Sequence, residues 1–441
     1  MSKKYLKILA IVLATAIVVV IIFLFTQKTQ LSLDSSSPYK SSVTYPTSPL
    51  TLSLWLPTEE QGNFEVTVAE YKKLHTTVDV QVTYIDSATY QTKLLQGRDT
   101  GTLPDLFVFR NDGLPLYAKA LQPAPASVFT TDQFNSTFAE FATQKLTSGN
   151  TVLAAPLGLA TLGLIYNTDR LKSANAETLP VTWVDFEKTN SALRKKDGQN
   201  LYSSGVALGS SAIRNYSDIM SILMMQNGAS MTNQPPTQAT FQQVDTSGYA
   251  PGAKALEFYA SFAQPTKQNY TWSDSLGSST EALAQNKTAL VVDYPMAAKQ
   301  VQKQNASFSI GLASLPQTNP SNPINYGNIL SGGVAKTSKN SEIAWDFWGF
   351  STSKDIQKKF SLASFWPASR KDLINDQLND KDLAPFARQS STAKDWYKGI
   401  NYTANAGLRD MLNSYLAGFD SKIVVNNAAV KVTSEIQASN K

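Results

Sequence analysis

Cysteine is absent from this 441-residue chain, and histidine occurs once, at His75. Without cysteine the fold cannot contain disulfides or a thiol nucleophile, and no lipid can be attached through an N-terminal cysteine. A single histidine nearly excludes a Ser-His-Asp triad and a histidine-rich zinc site. We expect His75 at the surface, since it ends a predicted helix. The GxSxG and GxxxxGK[ST] patterns are also missing, so the sequence predicts no cofactor and no bound metal.

The composition indicates a large folded protein rather than a nucleic-acid-binding one. The chain is 42% apolar and 17% charged, and at 441 residues it exceeds the length of about 250–300 residues at which one core normally divides. Two lobes are therefore expected. The net charge of +5 is spread along the chain, so no nucleic-acid partner is predicted.

The amino terminus contains a predicted membrane anchor. Residues 8–25 are apolar and uncharged, enough for a helix that crosses most of a bilayer, and the lysines within residues 1–7 favour a cytoplasmic start. A cleaved signal peptide is the alternative, although no small-x-small cleavage site follows the apolar run. The sequence thus predicts that residues 1–26 anchor a single-pass protein of the cell membrane, with the bulk of the chain extracytoplasmic.

Residues 27–49 are rich in Ser, Thr and Pro, which predicts an unpacked tether, and the folded body is expected from Leu50. From there strands alternate with helices, a pattern typical of an α/β lobe with a largely parallel sheet. In such sheets ligands bind outside the carboxyl ends of the strands. The predicted elements are strands 50–56, 78–85 and 106–109, a helix over 64–75 and another from 90 to near 97.

Several polar and aromatic positions have a purely structural interpretation. Asn-Asp-Gly at 111–113 has a common turn composition, and Gly332 with Gly333 also predicts a tight turn. Trp366 precedes a proline in an irregular segment, whereas Trp396 lies in a helical, polar context. The other tryptophans considered are expected in the core: Trp55, Trp345 and Trp348.

The order of segments resembles a known family. LTLSLWLPTEE, VAEYKKLHTTVDVQVTYID, GTLPDLFVFRNDGLPLYAKALQPAP and APLGLATLGLIYNTDRLK follow one another, and TWVDFEK, EALAQNKTALVVDYPMA and SGGVAKTSKNSEIAWDFWGF come later. The chain from Leu50 onward is similar to the extracellular solute-binding proteins of family 1. These are the maltose-binding-protein-like receptors of ABC-type carbohydrate importers, here in a membrane-tethered version.

The resemblance implies a type II periplasmic-binding-protein-like fold, with two α/β lobes joined by hinge crossings. The N-lobe would comprise residues 50–155 and a return segment at about 316–350. The C-lobe would comprise residues 156–315 and be completed by 351–441. The crossings would lie near residues 154–157, residues 312–315 and Phe350.

The resemblance also implies a cleft between the lobes that binds a mono- or oligosaccharide. A sugar ring packs on aromatic faces, and its hydroxyls pair with carboxylates and amides. Met296 departs from the tryptophan that maltose-binding protein carries there, which puts the sugar subsites in doubt. The residues that match cleft positions are Glu59, Glu60, Asn111, Asp112, Asn215, Tyr216, Asp293, Tyr294, Gly332, Trp366 and Trp396.

The function expected from the resemblance is capture of a carbohydrate by hinge closure and its delivery to ABC permease subunits. Two other classes stay open at this point. A tethered glycan adhesin or sensor could use the same cleft without a permease. A glycoside hydrolase would need two carboxylates at a suitable separation, and the pairs on offer are Glu59 with Glu60 or Asp112 with Asp293.

Overall fold

The structure is a computed structural model that describes residues 41, 43–304, 307–399 and 401–439. The predicted membrane helix at residues 8–25 lies outside the described residues. Among the helices within those ranges, none combines the length and apolar character needed to cross a membrane.

The described chain forms two α/β lobes. The strands are β1 (Leu50–Pro57), β2 (Val78–Ile85), β3 (Leu106–Arg110), β4 (Thr147–Ser148), β5 (Thr151–Val152), β6 (Ala155–Thr161), β7 (Gly163–Asn167), β8 (Lys195–Asp197), β9 (Asn200–Ala207), β10 (Thr288–Asp293), β11 (Ile310–Ser314), β12 (Asn325–Val334) and β13 (Ala393–Lys394). The helices are α1 (Glu65–Leu74), α2 (Ser87–Thr100), α3 (Leu114–Tyr117), α4 (Thr131–Thr137), α5 (Glu140–Leu146), α6 (Thr168–Ser173), α7 (Trp183–Leu193), α8 (Tyr216–Gln226), α9 (Pro251–Ser261), α10 (Ser279–Ala284), α11 (Met296–Gln304), α12 (Ser341–Ser351), α13 (Lys354–Ser364), α14 (Lys371–Gln377), α15 (Ala384–Gln389), α16 (Asn401–Leu416) and α17 (Ser421–Ser439).

The first lobe, here called the N-lobe, contains a six-stranded sheet in the order β13-β12-β3-β1-β2, with β6 also paired to β12. Strands β1, β2 and β3 are parallel, whereas β12 runs antiparallel to both β3 and β6. Strand β12 is buried along its whole length, which explains its near-continuous apolar and small-residue sequence. The sheet is therefore mixed rather than largely parallel.

The second lobe, the C-lobe, contains a five-stranded sheet in the order β11-β7-β10-β9-β8. Strands β9 and β10 are parallel, and β7 is antiparallel to β10 and β11. Strand β10 is buried at every position. The carboxyl ends of the parallel pair β9 and β10 are the place where this sheet would receive a ligand.

Three chain segments connect the lobes, at Leu162 between β6 and β7, at residues 315–324 between β11 and β12, and at residues 395–399 after β13. The side chain of Gln389 ties the first two together. Its Nε2 donates to the Leu162 carbonyl at 3.0 Å, and its Oε1 accepts from the Leu315 N–H at 2.6 Å. A buried amide thus joins two crossings that must bend together if the lobes rotate.

Two crossings differ from the expected positions. Residues 154–157 do not leave the N-lobe, because β6 pairs with β12 from Ala155 to Thr161. The chain also stays in the N-lobe beyond Phe350: α13 packs on α1 and β6, and its Phe360 lies 5.0 Å from Phe64, centroid to centroid. The crossing expected near Phe350 therefore lies at residues 395–399. Helix α13 and strand β13, which fall in the segment expected to complete the C-lobe, belong to the N-lobe.

The first strands agree closely with the sequence prediction. Strands β1, β2 and β3 and helix α1 form at the predicted places to within a residue or so. Helix α2 is longer than predicted, because the Asp86 side chain caps its start by accepting from the Ala88 N–H and Gly101 ends it at φ 70°. Residues 111–113 form a single turn of 3₁₀ helix.

The predicted turn at Gly332 and Gly333 is wrong, because both residues lie inside β12. A Cβ on Gly332 would lie 2.6 Å from the ring of Trp348, and one on Gly333 would lie 2.6 Å from the Leu121 side chain. The glycines are thus needed for the close approach of neighbouring side chains to the strand.

His75 and the end of the predicted tether also differ from expectation. The His75 side chain is only 10% exposed, and the ring of Tyr45 stacks on it at a centroid distance of 4.0 Å. Tyr45 Oη also lies 3.3 Å from Tyr71 Oη and donates to the buried carboxylate of Asp346. The chain therefore packs on the N-lobe before Leu50. The Asp346 carboxylate is 0% exposed and so needs hydrogen-bond donors, and the Tyr45 hydroxyl is one of them.

The single histidine makes the pH dependence of this contact testable. Burial lowers the pKa of His75, and nearby Asp346 only partly opposes this shift. A histidine whose folded-state pKa is lowered contributes stability above its ordinary pKa of about 6.5 and loses that contribution as the pH falls. We expect His75→Gln to flatten the fall in the free energy of unfolding between about pH 7.5 and about pH 5, measured by urea denaturation. Carboxylates titrate equally in both proteins, so parallel curves would contradict this account.

Candidate functional site

The carboxyl ends of strands from both lobes face a common cleft. From the N-lobe come residues after β1 and β3, and from the C-lobe come residues after β9 and on α11. They line two adjoining spaces, a cavity of about 280 Å³ in the N-lobe and a narrow interlobe pocket of about 40 Å³. Both spaces are bordered by Glu59, Arg110 and Trp366.

The N-lobe cavity exists because β1 and β3 diverge. They pair only at Leu54 with Leu106 and at Trp55 with Phe107, although both strands continue beyond these pairs. The hydroxyl of Tyr90 occupies the gap, lying 2.9 Å from the carbonyl oxygens of both Trp55 and Val108. Because an unpaired buried carbonyl is costly, this hydroxyl stabilises the open arrangement of the strands.

Glu60 and Trp366 form a buried pair at the cleft wall. Glu60 is 3% exposed; its Oε1 accepts from Trp366 Nε1 at 3.0 Å and its Oε2 accepts from Asn63 Nδ2 at 2.8 Å. Burial raises the pKa of Glu60. Trp366 is 2% exposed and therefore contributes only a small part of its surface to the cavity.

Arg110 links the two lobes across the cleft. Its guanidinium lies 3.5 Å from Glu59 in the N-lobe and 5.8 Å from the centroid of the Tyr294 ring in the C-lobe. The hydroxyl of Tyr294 in turn donates to Asp218 at 2.9 Å. A planar cation with several donors at this position suits the recognition of hydroxyl or carboxylate oxygens.

A buried lysine lies at the base of the cleft. Lys398 Nζ is 3.0 Å from Asp218 Oδ1 and 5.4 Å from the centre of the Tyr326 ring, and its side chain is 1% exposed. Burial lowers its pKa, but the carboxylates of Asp218 and Asp112 outweigh burial and raise the pKa above the ordinary value. For Asp112, which borders the N-lobe cavity, burial raises the pKa, and the positive charge of Lys398 opposes this shift.

Asp293 organises the C-lobe wall from behind. It is 0% exposed; its Oδ1 accepts from Asn215 Nδ2 and from the Tyr294 N–H, both at 2.7 Å, and its Oδ2 lies 3.7 Å from Arg214 Nε. Asn215 has a φ of 56°, a left-handed conformation that asparagine tolerates better than most residues. Asp293 therefore lies behind the wall, with its negative charge close to Arg214, which lines the pocket.

Of the positions predicted from the sequence, Glu59, Glu60, Asp112 and Trp366 line one or both spaces. Tyr294 reaches the cleft through its contact with Arg110. Asn215 and Asp293 support the wall from within the C-lobe.

Four predicted positions have other contacts. The Asn111 side chain accepts from the Ile329 N–H through Oδ1 and donates to Asp395 through Nδ2. Gly332 packs against the ring of Trp348. Tyr216 donates to the Asn405 carbonyl on α16 at 2.6 Å. Trp396 lies in an irregular segment rather than a helix, where its Nε1 donates to Ser221 at 2.9 Å and fixes residues 395–399 to α8.

Sequence reasoning did not assign the basic residues of the cleft. Arg214, Lys299 and Lys303 line the interlobe pocket, and Lys398 pairs with Asp218. Arg214 stands directly before the predicted Asn215, and Lys398 two residues after Trp396. Their proximity to assigned positions was the only sequence signal, since scattered basic residues otherwise suggest a solvated surface.

Within the described ranges, no group of three or more His, Asp or Glu side chains is arranged to hold a metal ion. The two spaces are lined by charged, aromatic and aliphatic side chains, and the charged ones can pair with a polar molecule through hydrogen bonds and ion pairs.

Residues 57–358 match the bacterial extracellular solute-binding protein family. The match extends over more than half of the 441 residues, so the chain belongs to this family. Comparison with curated proteins gives no match.

Solved structures show the same two-lobed fold. An ABC transporter solute-binding protein from Thermotoga lettingae, bound with α-D-tagatose, is 18% identical with a TM-score of 0.71, covering 88% of this chain and 99% of the other. A substrate-binding protein from Listeria monocytogenes in complex with cycloalternan is 17% identical with a TM-score of 0.72, covering 87% and 98%. The sugar-binding protein MalE from Xanthomonas citri is 18% identical with a TM-score of 0.69, covering 89% and 98%.

The buried Lys398 provides a test of how the cleft base is stabilised. Lys398→Met leaves the Asp218 side chain, which is only 16% exposed, without its cation, and we expect a loss of about 3 kcal/mol in the free energy of unfolding by urea denaturation. Asp218→Asn introduced into the same protein should restore part of the loss, because it removes the uncompensated charge. A loss no larger than that of the exposed Lys267→Met would contradict this assignment.

Proposed function

We propose that the protein is an extracytoplasmic receptor that captures a carbohydrate between its lobes and delivers it to an ABC-type importer. The observation that carries this proposal is the convergence of both lobes on one cleft, lined by Glu59, Arg110 and Trp366 from the N-lobe and by Arg214 from the C-lobe. Membership of the solute-binding family supports the role, and related structures contain tagatose and cycloalternan.

In this proposal the N-lobe cavity holds a sugar ring. At about 280 Å³ it has room for a ring with its hydroxyls, and Glu59 and Asp112 supply acceptors at its rim. Arg110 supplies donors, and the exposed part of Trp366 packs on the C–H face. Glu59, Arg110 and Asp112 lie at or just after the carboxyl ends of β1 and β3, and Trp366 follows α13.

Lobe closure would complete the site. Arg110 and Tyr294 already meet across the cleft, and the crossings joined by Gln389 would act as the hinge. A closed form that buries the ligand is the form an ABC permease would recognise. Small-angle scattering should therefore show a decrease in the radius of gyration when ligand is added.

We further propose that residues 8–25 anchor the protein in the membrane with its bulk outside. The uncharged run and the lysines before it support this arrangement. Fractionation of cells expressing the full chain, compared with a chain lacking residues 1–26, tests it. Recovery of the full chain in the soluble fraction would contradict anchoring.

Hydrolysis is not part of the proposed function. In each carboxylate pair considered from the sequence one member is already engaged or buried, since Glu60 accepts from Trp366 and Asn63 and Asp293 is fully buried. Incubation with oligosaccharides should give no product. Loss of carbohydrate uptake on deleting the gene would distinguish a transport receptor from an adhesin or sensor.

Asp112 provides a direct test of ligand binding. We expect Asp112→Asn to weaken binding by about 1–3 kcal/mol, because a ligand hydroxyl loses a charged acceptor. A thermal-shift screen against a glycan panel would find the ligand, and calorimetry would measure the affinity. The exposed Asp197→Asn is the matched control. Equal affinities in the two variants, with both folded, would overturn the assignment of Asp112.

A further inference from the structure

The interlobe pocket is lined by more basic than acidic side chains. Arg110 reaches it from the N-lobe, and the other basic residues come from the C-lobe: Arg214, Lys299 and Lys303. Glu59 and Glu60 are the acidic residues that line it. The balance of charge within the pocket therefore depends on how far these two carboxyl groups compensate four cations.

The two glutamates compensate only part of that charge. Glu59 lies 3.5 Å from Arg110 and so pairs with one cation. Glu60 is 3% exposed, accepts hydrogen bonds from the neutral Asn63 and Trp366 side chains, and has a pKa raised by burial. A carboxyl group whose pKa is raised gives up negative charge more readily.

The C-lobe cations have few acidic groups on the pocket side. Arg214 lies 3.7 Å from Asp293, which is buried behind the wall, and it donates to the neutral Gln300. Lys299 Nζ lies 3.4 Å from the neutral amide oxygen of Asn63. Burial lowers the pKa of Lys299 and the charge of Lys303 lowers it further, while Glu60 and Glu65 oppose these shifts.

The size of the pocket limits what can neutralise this charge. Its volume of about 40 Å³ has room for about three waters, too little for a sugar ring but enough for a carboxylate. The N-lobe cavity adjoins it across Arg110 and Trp366. A ring in the cavity would thus place a ring substituent in the pocket.

We propose that the ligand is an acidic carbohydrate of the uronic-acid type, whose carboxylate enters the interlobe pocket between Arg110, Arg214 and Lys299. This inference rests on the proposed carbohydrate-binding function. The carboxylate would accept hydrogen bonds from cations of both lobes. Binding of the acid group would in this way favour closure.

The test compares neutral and acidic carbohydrates that are otherwise matched. Calorimetry of the full extracytoplasmic chain would use glucose with glucuronate, galactose with galacturonate, and the corresponding disaccharides, together with phosphorylated and sulfated forms. We expect the carboxylate member of one pair to bind at least about tenfold more tightly, with an affinity that falls as salt is added.

Variants connect the preference to the pocket. Lys299→Gln leaves the pairing of Asp293 intact, and it should reduce the affinity for the acidic member severalfold more than the affinity for the neutral sugar. The exposed Lys267→Gln of the same lobe should leave the acid-to-neutral affinity ratio unchanged. An unchanged ratio in Lys299→Gln would contradict the placement of the carboxylate.

The outcomes separate this inference from the proposed function. Binding of neutral sugars with no preference for the acidic members would overturn the inference and leave carbohydrate capture intact. A preference for phosphorylated or sulfated forms over carboxylates would overturn the choice of acid group. Failure of every carbohydrate to bind would overturn both proposals.

Discussion

The separation of β1 from β3 is the constraint on which the N-lobe half of the cleft depends. Parallel strands that stayed paired to their ends would leave no space for a ligand between them. Here the hydroxyl of Tyr90 bridges the separated strands: it accepts from the Val108 N–H at 3.2 Å and can donate to one of two carbonyl oxygens, of Trp55 or Val108, each 2.9 Å away. A side chain from α2 therefore fills the gap between two inner strands at their carboxyl ends, and it lines the same cavity as Glu59 and Asp112.

In the C-lobe, the carboxylates of Asp293 and Asp218 hold neighbouring side chains in place. Asp293 holds Asn215 and lies close to Arg214, while Asp218 accepts from Tyr294 and Lys398. Such groups are costly to bury, and they persist only where hydrogen bonds and cations satisfy them. The result is a wall whose charged groups are held in fixed positions. A rigid wall of this kind reduces the entropy lost when a polar ligand binds.

Apolar spacing along the chain predicted the elements that depend on the local sequence. The runs that form β1, β2 and β3 were found from apolar spacing, and the rule that ligands lie beyond strand ends directed attention to Glu59 and Asp112. The partners that make the site were not predictable in the same way. Lys398 pairs with Asp218 across 180 residues, and the need for Gly332 arises from a tryptophan on another element. Such contacts depend on how the lobes assemble, which spacing along the chain does not encode.

The contact of Tyr45 with His75 and Asp346 has a mechanical consequence. It fixes the chain at Tyr45 to the N-lobe. If the lobes rotate as proposed, the segment at Tyr45 stays fixed to the N-lobe. The C-lobe then moves relative to both. A partner that recognises the position of the C-lobe would then recognise it relative to the N-lobe and the segment at Tyr45.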